Sequence, residues 1–406
     1  MNKTPATRPF LFDADQHYYE PRDAFTRYND DPEAGMVEVM QVGDREQIRI
    51  GGIKHEYPPT FESVAPPGSI LELLESPKGR GNDNPIVEQI KPDYQRRTER
   101  IATMDAQGVD AALLLPTLAV TVEHPMRNDI RRTFANLRAF NRWIDADWGF
   151  DRDGRLYALP LLSLIDPDEA VRELERVLEA GAKGVHLLAG PANGCGPGDP
   201  IHDRFWSLIN ETGTLVGFHG ADSGYTGLIG QAWGEQYPVR VHHMSAWARA
   251  FCFIDAPIMH TLGSLVYSNL FDRFPNVRIL CLEHGSAWLP YLLERLDKVQ
   301  AKLTTRTPWP REPLTERASD VFREHIWVSP YPEDDMADVL EMMPASRVLF
   351  GSDWPHPEGL ADPLTFAERL PEISAHDRDQ IMGGNLATLL GIEAEVPPNE
   401  TTPTNT

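Results

Sequence analysis

The sequence predicts an α/β protein with a closed (β/α)8 barrel, and two observations carry this prediction. Eight short apolar runs recur along the chain, and amphipathic helical patterns separate most of them. Near-continuous apolar strands that alternate with helices indicate a parallel sheet covered on both faces. A count of eight favours a closed barrel over an open, doubly wound sheet. The predicted strands span residues 10–15, 109–116, 157–164, 184–189, 215–219, 277–284, 325–331 and 347–353.

One long segment interrupts the strand–helix alternation near the N-terminus. Residues 28–93, between the first and second predicted strands, are too many for a simple crossover. Within them, residues 36–41 and 47–50 have the pattern of a β-hairpin around Gly43 and Asp44. We therefore expect an inserted cap with a β-hairpin above the first strand.

The rest of the chain is predicted to form one domain. Residues 221–272 carry apolar and aromatic side chains at helical spacing, which is typical of a helix packed on the barrel or on a partner subunit. Residues 393–406 are rich in Pro, Thr, Asn and Glu, which predicts a disordered tail. We expect a single barrel domain over residues 8–392 that forms a homodimer or a higher homo-oligomer.

The chain is strongly acidic. It has 406 residues, 41% of them hydrophobic, and a formal net charge of −23 from 61 acidic and 38 basic side chains. Such a surface disfavours nucleic acids and anionic membranes, because both are polyanions. No unbroken apolar run reaches the roughly 18 residues of a membrane-spanning helix, and the first ten residues are too polar for a signal peptide. We therefore expect no nucleic-acid or membrane partner.

The three cysteines, Cys195, Cys252 and Cys281, are scattered and odd in number. They form neither a disulfide framework nor a C-x-x-C metal pair. A reducing cytoplasm is the expected setting.

Side chains that can bind a metal stand at the ends of several predicted strands. Asp15 and His17 lie just past the first apolar run, His219 ends the fifth strand, His284 the sixth and Asp353 the eighth. In a (β/α)8 barrel all carboxyl ends of the strands open onto one face, and active sites form there. Five side chains that are far apart in sequence would therefore converge.

The segment Asp15-Gln16-His17 adds a second argument. Residues i and i+2 of an extended segment point the same way, so Asp15 and His17 can both face the barrel axis. With His219 and Asp353 they form a set of nitrogen and oxygen donors that suits zinc, manganese or ferrous iron. We expect one divalent ion, with zinc first.

Each residue also has an ordinary structural explanation. A histidine in an apolar strand is more often a hydrogen-bonded core residue than a ligand. A Gly-Ser-Asp sequence such as that ending at Asp353 is often a helix N-cap. The metal interpretation depends on the joint pattern, because several separate strand ends would have to acquire such side chains by coincidence.

With these residues in view, the chain resembles the amidohydrolase superfamily. It is most similar to the amidohydrolase-2 branch, typified by aminocarboxymuconate-semialdehyde decarboxylase and γ-resorcylate decarboxylase. The resemblance covers roughly residues 10–392 and rests on the sequences around Asp15 (DADQHYYEP), His219 (GFH), His284 (FDRFP followed by EHG) and Asp353 (GSDWP). It implies that Asp15, His17, His219 and Asp353 bind the metal, and that Asp353 and His284 take part in catalysis.

Two further positions bear on the chemistry that the resemblance implies. Larger amidohydrolases bridge two metals with a modified lysine at strand four, but Lys183 stands at the start of that strand, at the wrong end of the barrel. Hydroxybenzoate decarboxylases of this branch tend to carry a glutamate three residues after the strand-six histidine, where this chain has Ala287. The run after His284 is closer to the aminocarboxymuconate type.

The ligand set identifies a site but leaves the reaction open. A decarboxylase or related C–C lyase acting on a small, cyclic or aromatic carboxylic acid is the first hypothesis. A metal-dependent hydrolase or hydratase acting on a lactone, ester or amide is the second, and a non-catalytic binding protein on the same barrel is the third. Candidate substrate contacts are His186, Arg249, Trp354 and His356.

Overall fold

The computed structural model describes five stretches of the chain, and the predicted tail beyond residue 393 lies outside them. The described residues are 9–55, 61–75, 86–237, 243–304 and 306–393.

The parallel strands pair in the order in which they follow one another along the chain. Phe12–Tyr18 pairs with Ala111–Pro116, which pairs with Leu156–Ala158. These three strands form a first ladder. The chain pairs again at Leu161–Leu162, which begins a second ladder, so the third predicted strand contributes to both. That second ladder joins, in order, Leu161–Leu162, Gly184–Leu187, Leu215–His219, Arg278–Leu282 and Ile326–Val328.

The eighth predicted strand, 347–353, is not a regular strand, and the prediction was wrong in this respect. Val348 forms an isolated parallel bridge with Val328, and Trp354 forms another with Gln16. The segment therefore touches both the seventh and the first strand without forming a continuous ladder with either.

The cause of this irregularity lies in both partners. Asp353 has a left-handed φ of 55°, which ends an extended ladder. The first strand itself shifts register between Asp13 and Gln16. Three backbone hydrogen bonds of 2.8 Å nevertheless join the two segments, from Ala14 N to Phe350 O, from Asp353 N to Asp15 O and from His17 N to Trp354 O.

Alternate strand residues separate into two hydrophobic cores. Ala111, Leu113 and Leu115 belong to one, which we call the inner cluster, while Ala112 and Leu114 belong to the larger cluster under the helices. This alternation follows from the two-residue period of a strand. Seven of the eight predicted strands contribute to the inner cluster, through Phe12, Ala14, Ala111, Leu113, Leu115, Tyr157, Leu159, Leu215, Leu280, Leu282, Trp327 and Leu349.

Helices separate most of the parallel strands and cover the larger cluster. Pro167–Glu179 shows how they begin: Asp166 accepts hydrogen bonds from the backbone N–H groups of Asp168 and Glu169, which caps the helix. The other longer helices are Arg97–Gln107, Ile130–Asp147, Asp203–Thr212, Asp255–Tyr267, Leu289–Gln300, Ala318–His325 and Met336–Met342. Shorter α-helical turns are Leu71–Glu75, Pro92–Gln95, Glu123–Met126, Tyr225–Leu228, Ala246–Ala248, Leu270–Arg273, Ala375–Asp379 and Asn385–Leu389.

The segment predicted as a cap contains antiparallel strands. Val37–Val42 pairs with Arg45–Ile50, which also pairs with Ile53–Lys54. A second pair joins Ser63–Val64 to Glu88–Gln89.

One helical stretch within the described ranges is long and apolar enough to cross a membrane by length and composition. It is Ala246–Tyr267, 22 residues with a mean hydropathy of 1.3. Arg249 and Asp255 lie within it, so it is not one of the unbroken apolar runs on which the sequence prediction was based. The stretch is weak support for membrane crossing, since the core helix of a globular protein meets the same criteria.

Candidate metal centre

The predicted site residues share the face of the sheet that carries the inner cluster. Leu215 belongs to that cluster, so strand alternation turns His219, four residues on, to the same side. His284 follows Leu282, another member of that cluster, but lies two residues beyond the end of its strand, where the backbone turns. Polar side chains at the carboxyl ends of these strands therefore meet above the packed interior.

A β-bulge re-aims the first strand. Phe12 and Ala14 belong to the inner cluster, so unbroken alternation would turn Asp15 and His17 away from it. The register shift between Asp13 and Gln16 reverses that alternation. Asp15 and His17 thus lie inside strand Phe12–Tyr18, rather than just past it as the sequence suggested, and still face inward.

Three donor atoms lie close together at this point. His17 Nε2 is 3.1 Å from His219 Nε2 and 3.2 Å from Asp15 Oδ1, and His219 Nε2 is 3.4 Å from Asp15 Oδ1. All three side chains are buried. Tetrahedral ligands about 2.1 Å from a metal lie about 3.4 Å from one another, so this spacing suits one divalent ion.

The two imidazoles present lone pairs to the same point. His17 Nδ1 lies 3.2 Å from the carbonyl oxygen of Pro116, and His219 Nδ1 lies 3.1 Å from that of Gly220. A carbonyl oxygen only accepts, so each Nδ1 carries a proton and each Nε2 is the atom left to bind a metal. Among the described residues, Asp15 Oδ1 is buried without a hydrogen-bond donor. Two imidazole nitrogens and a carboxylate oxygen that face one another attract a cation, and the donor set fits a divalent metal.

The charges around this cluster act in the same direction. Burial opposes protonation of His219, but Glu283 and Asp15 outweigh it and raise the pKa of His219 well above its usual value. Burial also opposes ionisation of Asp15, yet His219 and His17 hold the pKa of that carboxyl below its usual range. The cluster attracts positive charge, and a divalent ion would take the place of the proton.

Asp353 reaches the cluster from the irregular eighth segment. Its Oδ1 lies 3.3 Å from His17 Nε2 and 2.7 Å from His356 Nδ1. Burial, followed by Glu283, raises the pKa of Asp353 well above its usual value. His17 therefore belongs to two overlapping groups of donors, one with Asp15 and His219 and one with Asp353 and His356.

A glycine allows the eighth segment to approach the first strand. A Cβ on Gly351 would lie 2.3 Å from Ser329 Oγ and 2.9 Å from Asp15 Cβ. Asp353, two residues on, has a φ of 55°, a conformation that non-glycine residues adopt at a cost and that concentrates at functional sites.

His284 lies beside the cluster as a neutral imidazole. Its Nδ1 donates to the carbonyl oxygen of Leu282 over 2.7 Å, which leaves the lone pair on Nε2. Burial and the neighbouring His219 lower the pKa of His284 to about 4. Its backbone carbonyl accepts a hydrogen bond from Trp288 Nε1 at 2.9 Å, which fixes the turn after the strand.

Glu283 is a site residue that the sequence reasoning missed. Its Oε2 lies 2.7 Å from His219 Nε2, and its backbone φ is 48°. The available signal was the Glu-His-Gly sequence itself, in which Gly285 also has a positive φ of 60°. These two left-handed residues stand on either side of His284 just after the strand ends, and the turn brings both Glu283 and His284 to the site.

The sequence reasoning also missed several buried polar groups that support the cluster of metal-binding side chains. Asp13 accepts hydrogen bonds from Ser352 N and Gln16 Nε2, at 2.9 and 3.0 Å, and so ties the first strand to the eighth segment. Arg100 donates to the carbonyl oxygen of His17 over 2.5 Å. Glu20 accepts from the backbone N–H of Leu118. Asp13 and Glu20 stand within three residues of a ligand, but Arg100 and Leu118 are far from the ligands in sequence.

A cavity of about 830 Å³ opens beside the cluster. His17, His219, Glu283 and His356 line it, and Arg249 lines it as well. Two of the four predicted substrate contacts, Arg249 and His356, are thus on its wall.

The other two predicted substrate contacts lie away from the cavity wall. Trp354 is buried against Tyr94, with ring centroids 5.3 Å apart, and lies over the Arg100 guanidinium at 4.4 Å. His186 is buried near the metal-binding side chains, with its ring centroid 6.3 Å from that of His219. Lys183 stands just before strand Gly184–Leu187, with its side chain half exposed and 4.0 Å from Asp151 Oδ2.

Comparison with known proteins places these residues in a family context. A family model described as amidohydrolase matches residues 13–392. The structure is similar to the crystal structure of an amidohydrolase from Mycobacterium avium subsp. paratuberculosis K-10, with a TM-score of 0.85 and 36% identity. That match covers 95% of this chain and 100% of the other.

Two further matches are with decarboxylases. γ-Resorcylate decarboxylase from Rhizobium sp. (strain MTP-10005) is 26% identical over 63% of this chain and 76% of its own. Dihydroxybenzoic acid decarboxylase from Polaromonas sp. JS666, solved with bound manganese and the inhibitor 2-nitroresorcinol, has a TM-score of 0.57 at 19% identity. That match covers 95% of this chain and 97% of the other.

Proposed function

Because this chain belongs to the amidohydrolase family and is an enzyme of that family, we propose that it decarboxylates a small cyclic or aromatic carboxylic acid with the help of one divalent metal ion. The observation that carries the proposal is the convergence of buried nitrogen and oxygen donors around His17, on the wall of a cavity. The decarboxylases among the relatives support the choice of reaction.

We assign Asp15, His17, His219 and Asp353 as the residues that would hold the metal. Zinc is the first expectation for these donors, with manganese or ferrous iron as alternatives. When bound, a divalent ion supplies positive charge that polarises a substrate oxygen and stabilises the negative charge that develops as CO2 leaves.

Side chains of the protein would transfer the proton that replaces CO2. Decarboxylation breaks the bond between the carboxyl carbon and its neighbour, and the electron pair stays on the neighbouring carbon until a proton from solvent replaces the CO2. We assign His284 Nε2 as the atom that takes up this proton and delivers it, because its Nδ1 is held by Leu282. Asp353, whose carboxylate contacts both His17 and His356, is assigned the second proton-handling role.

Binding of the acid needs positive charge on the lining of the cavity as well as the metal. Arg249 lines the cavity and is proposed to bind a carboxylate, since guanidinium and carboxylate form charge-assisted hydrogen bonds. His356, stacked on the His17 ring at 3.9 Å, orients that metal ligand and borders the substrate space.

Hydrolysis or hydration is the second candidate, and Ala287 favours it. This small apolar side chain stands three residues after His284, where hydroxybenzoate decarboxylases of the branch tend to carry a glutamate. The same metal and the same His284 would then act on a lactone, ester or amide carbonyl.

The remaining proposals concern architecture and setting. We propose that the two ladders and the 347–353 segment form one closed barrel with an inserted cap over residues 28–93. We propose a homo-oligomer, supported by exposed aromatic side chains after strand five such as Trp233 and Phe251, 71% and 62% exposed. Three free cysteines are consistent with a reducing cytoplasm.

Product analysis tests the reaction. The metal-loaded enzyme is incubated with cyclic and aromatic carboxylates, and with lactones, esters and amides, while CO2 and acid release are followed separately. CO2 release supports the proposal, and acid release without CO2 supports hydrolysis instead.

A histidine variant tests the assigned proton path. His284→Gln should retain its metal and lose about 10²–10⁴ in kcat. His376→Gln, in the short helix Ala375–Asp379, is the matched control and should keep full activity. Full activity in His284→Gln would refute the assignment.

A further inference from the structure

The cavity beside the metal centre extends to the cap. Its lining includes Ile50, Ile53, Val64 and Val87, all from the segment between the first and second parallel strands. Its volume of about 830 Å³ lies near the top of the roughly 300–1,000 Å³ found for pockets that hold drug-sized ligands. A single-ring acid bound at the metal would leave much of this space unfilled.

Two further apolar side chains of the lining come from the segment after strand five. Phe253 and Ile254, which follow strand five by some thirty residues, line the same cavity. We call the space bounded by these two residues and the four cap residues the apolar chamber. Side chains of this kind recognise hydrocarbon surface and offer no hydrogen bonds to a polar ring substituent.

The chamber wall is accessible from outside. Ile53 and Val87 line the cavity and are nevertheless 68% and 61% exposed. Large apolar side chains that stay exposed around a concavity are typical of a ligand-binding groove. A ligand that covered them would gain hydrophobic free energy in proportion to the area removed from water.

We propose that the substrate is a carboxylic acid with a bulky apolar body, of at least two-ring size, whose acid end lies at the metal centre and whose apolar end fills the chamber under the cap. This inference rests on the proposed function for the orientation of the acid. It commits to a substrate as the occupant because the chamber and the metal centre share one cavity.

A pair of hydroxy acids tests the size preference. We use 3-hydroxy-2-naphthoate and salicylate, which share the ortho-hydroxy acid group and differ by one ring, and measure Kd for the metal-loaded enzyme by titration calorimetry. The naphthoate should bind at least about tenfold more tightly, because even one methylene in an apolar pocket changes affinity by about tenfold or more. Equal affinities would overturn the inference.

A cap variant locates the preference in the chamber. Ile53→Trp places a larger side chain at the chamber wall and should weaken naphthoate binding by at least about tenfold, with salicylate changed by less than about twofold. Ile86→Trp is the matched control, because Ile86 is on the same cap, is 72% exposed and does not line the cavity. It should leave both affinities unchanged.

The outcomes separate this inference from the proposed function. Tight naphthoate binding without CO2 release would refute decarboxylation and leave the size preference standing. CO2 release from single-ring acids that bind as tightly as the naphthoate would support decarboxylation and refute the size preference. If Ile53→Trp changes the oligomeric mass in light scattering and not the naphthoate Kd, these residues contact a second copy of the chain, and the inference is wrong.

Discussion

Glu20 is a buried carboxyl group whose ionisation should affect stability measurably. It accepts hydrogen bonds from the backbone N–H groups of Leu118, at 3.0 Å, and Ala119, at 2.9 Å. Burial outweighs these bonds and raises the pKa of Glu20 from its ordinary value of 4.5 to about 7. Between these two pH values the folded chain keeps a proton that the unfolded chain has released.

The sign and size of the effect follow from this difference. Stability falls as pH rises through the window, because the unfolded chain binds fewer protons there than the folded chain. At about 1.4 kcal/mol per pKa unit, the cost reaches about 3 kcal/mol above pH 7. Glu20→Gln cannot ionise and escapes this loss. Relative to the wild type, its free energy of unfolding should rise by about 3 kcal/mol between pH 4.5 and 7.5 and then level off.

Denaturant unfolding at a series of pH values measures this difference, with a chelator present so that metal binding does not contribute. Glu33→Gln is the matched control, because the Glu33 side chain is 87% exposed and water solvates it in both states. A difference between Glu20→Gln and the wild type that stays constant from pH 4.5 to 7.5 would refute the reasoning.

Three other predictions concern packing and the metal. Gly351→Ala should lower the free energy of unfolding by at least about 2 kcal/mol, since the added Cβ would lie 2.3 Å from Ser329 Oγ. Gly263→Ala is the control in the same denaturant unfolding assay and should be tolerated, because its added Cβ would have its nearest neighbour at 3.8 Å. Chelation should lower Tm, because an ion bound only by the folded chain stabilises it, and an unchanged Tm would contradict the site. Trp354→Ala should cost about 3–5 kcal/mol in denaturant unfolding through lost packing on Arg100, and a cost below about 1 kcal/mol would count against that packing role.

The sequence predicted the parallel strands and the family correctly because both depend on patterns of several residues. Family membership and enzyme activity are confirmed by the match over residues 13–392 and by the decarboxylase relatives. The strand that ends at His219 was predicted with the bounds that the structure has, since a continuous apolar run closed by a polar residue is visible in the sequence.

Sequence patterns could not predict the backbone details that determine the geometry of the site. The register shift after Asp13 depends on how the first strand pairs with its neighbours, and strand periodicity does not report pairing. The eighth segment lost its regular ladder because of the left-handed turn at Asp353, which composition does not reveal. Trp354 was predicted as a substrate contact because it follows the eighth predicted strand, but its ring packs on Arg100, a partner far away in sequence.

Glu283 illustrates a different limit. It stands next to His284 in the sequence, and a strand's alternation would turn it away from the site. Its positive φ cancels that alternation and brings its carboxylate within 2.7 Å of His219. Backbone conformation at a single residue, and not side-chain type, decided its place.

The most direct test of the account is the metal content of the purified chain and of His17→Ala, measured by inductively coupled plasma mass spectrometry after dialysis against zinc or manganese. His17 Nε2 contacts the other three assigned ligands, Asp15, His219 and Asp353, so its loss should abolish binding at this centre. We expect about one divalent ion per wild-type chain and less than about a tenth of that in a folded His17→Ala variant. A wild-type chain without metal, or a variant that keeps a full complement, would contradict the proposed metal centre.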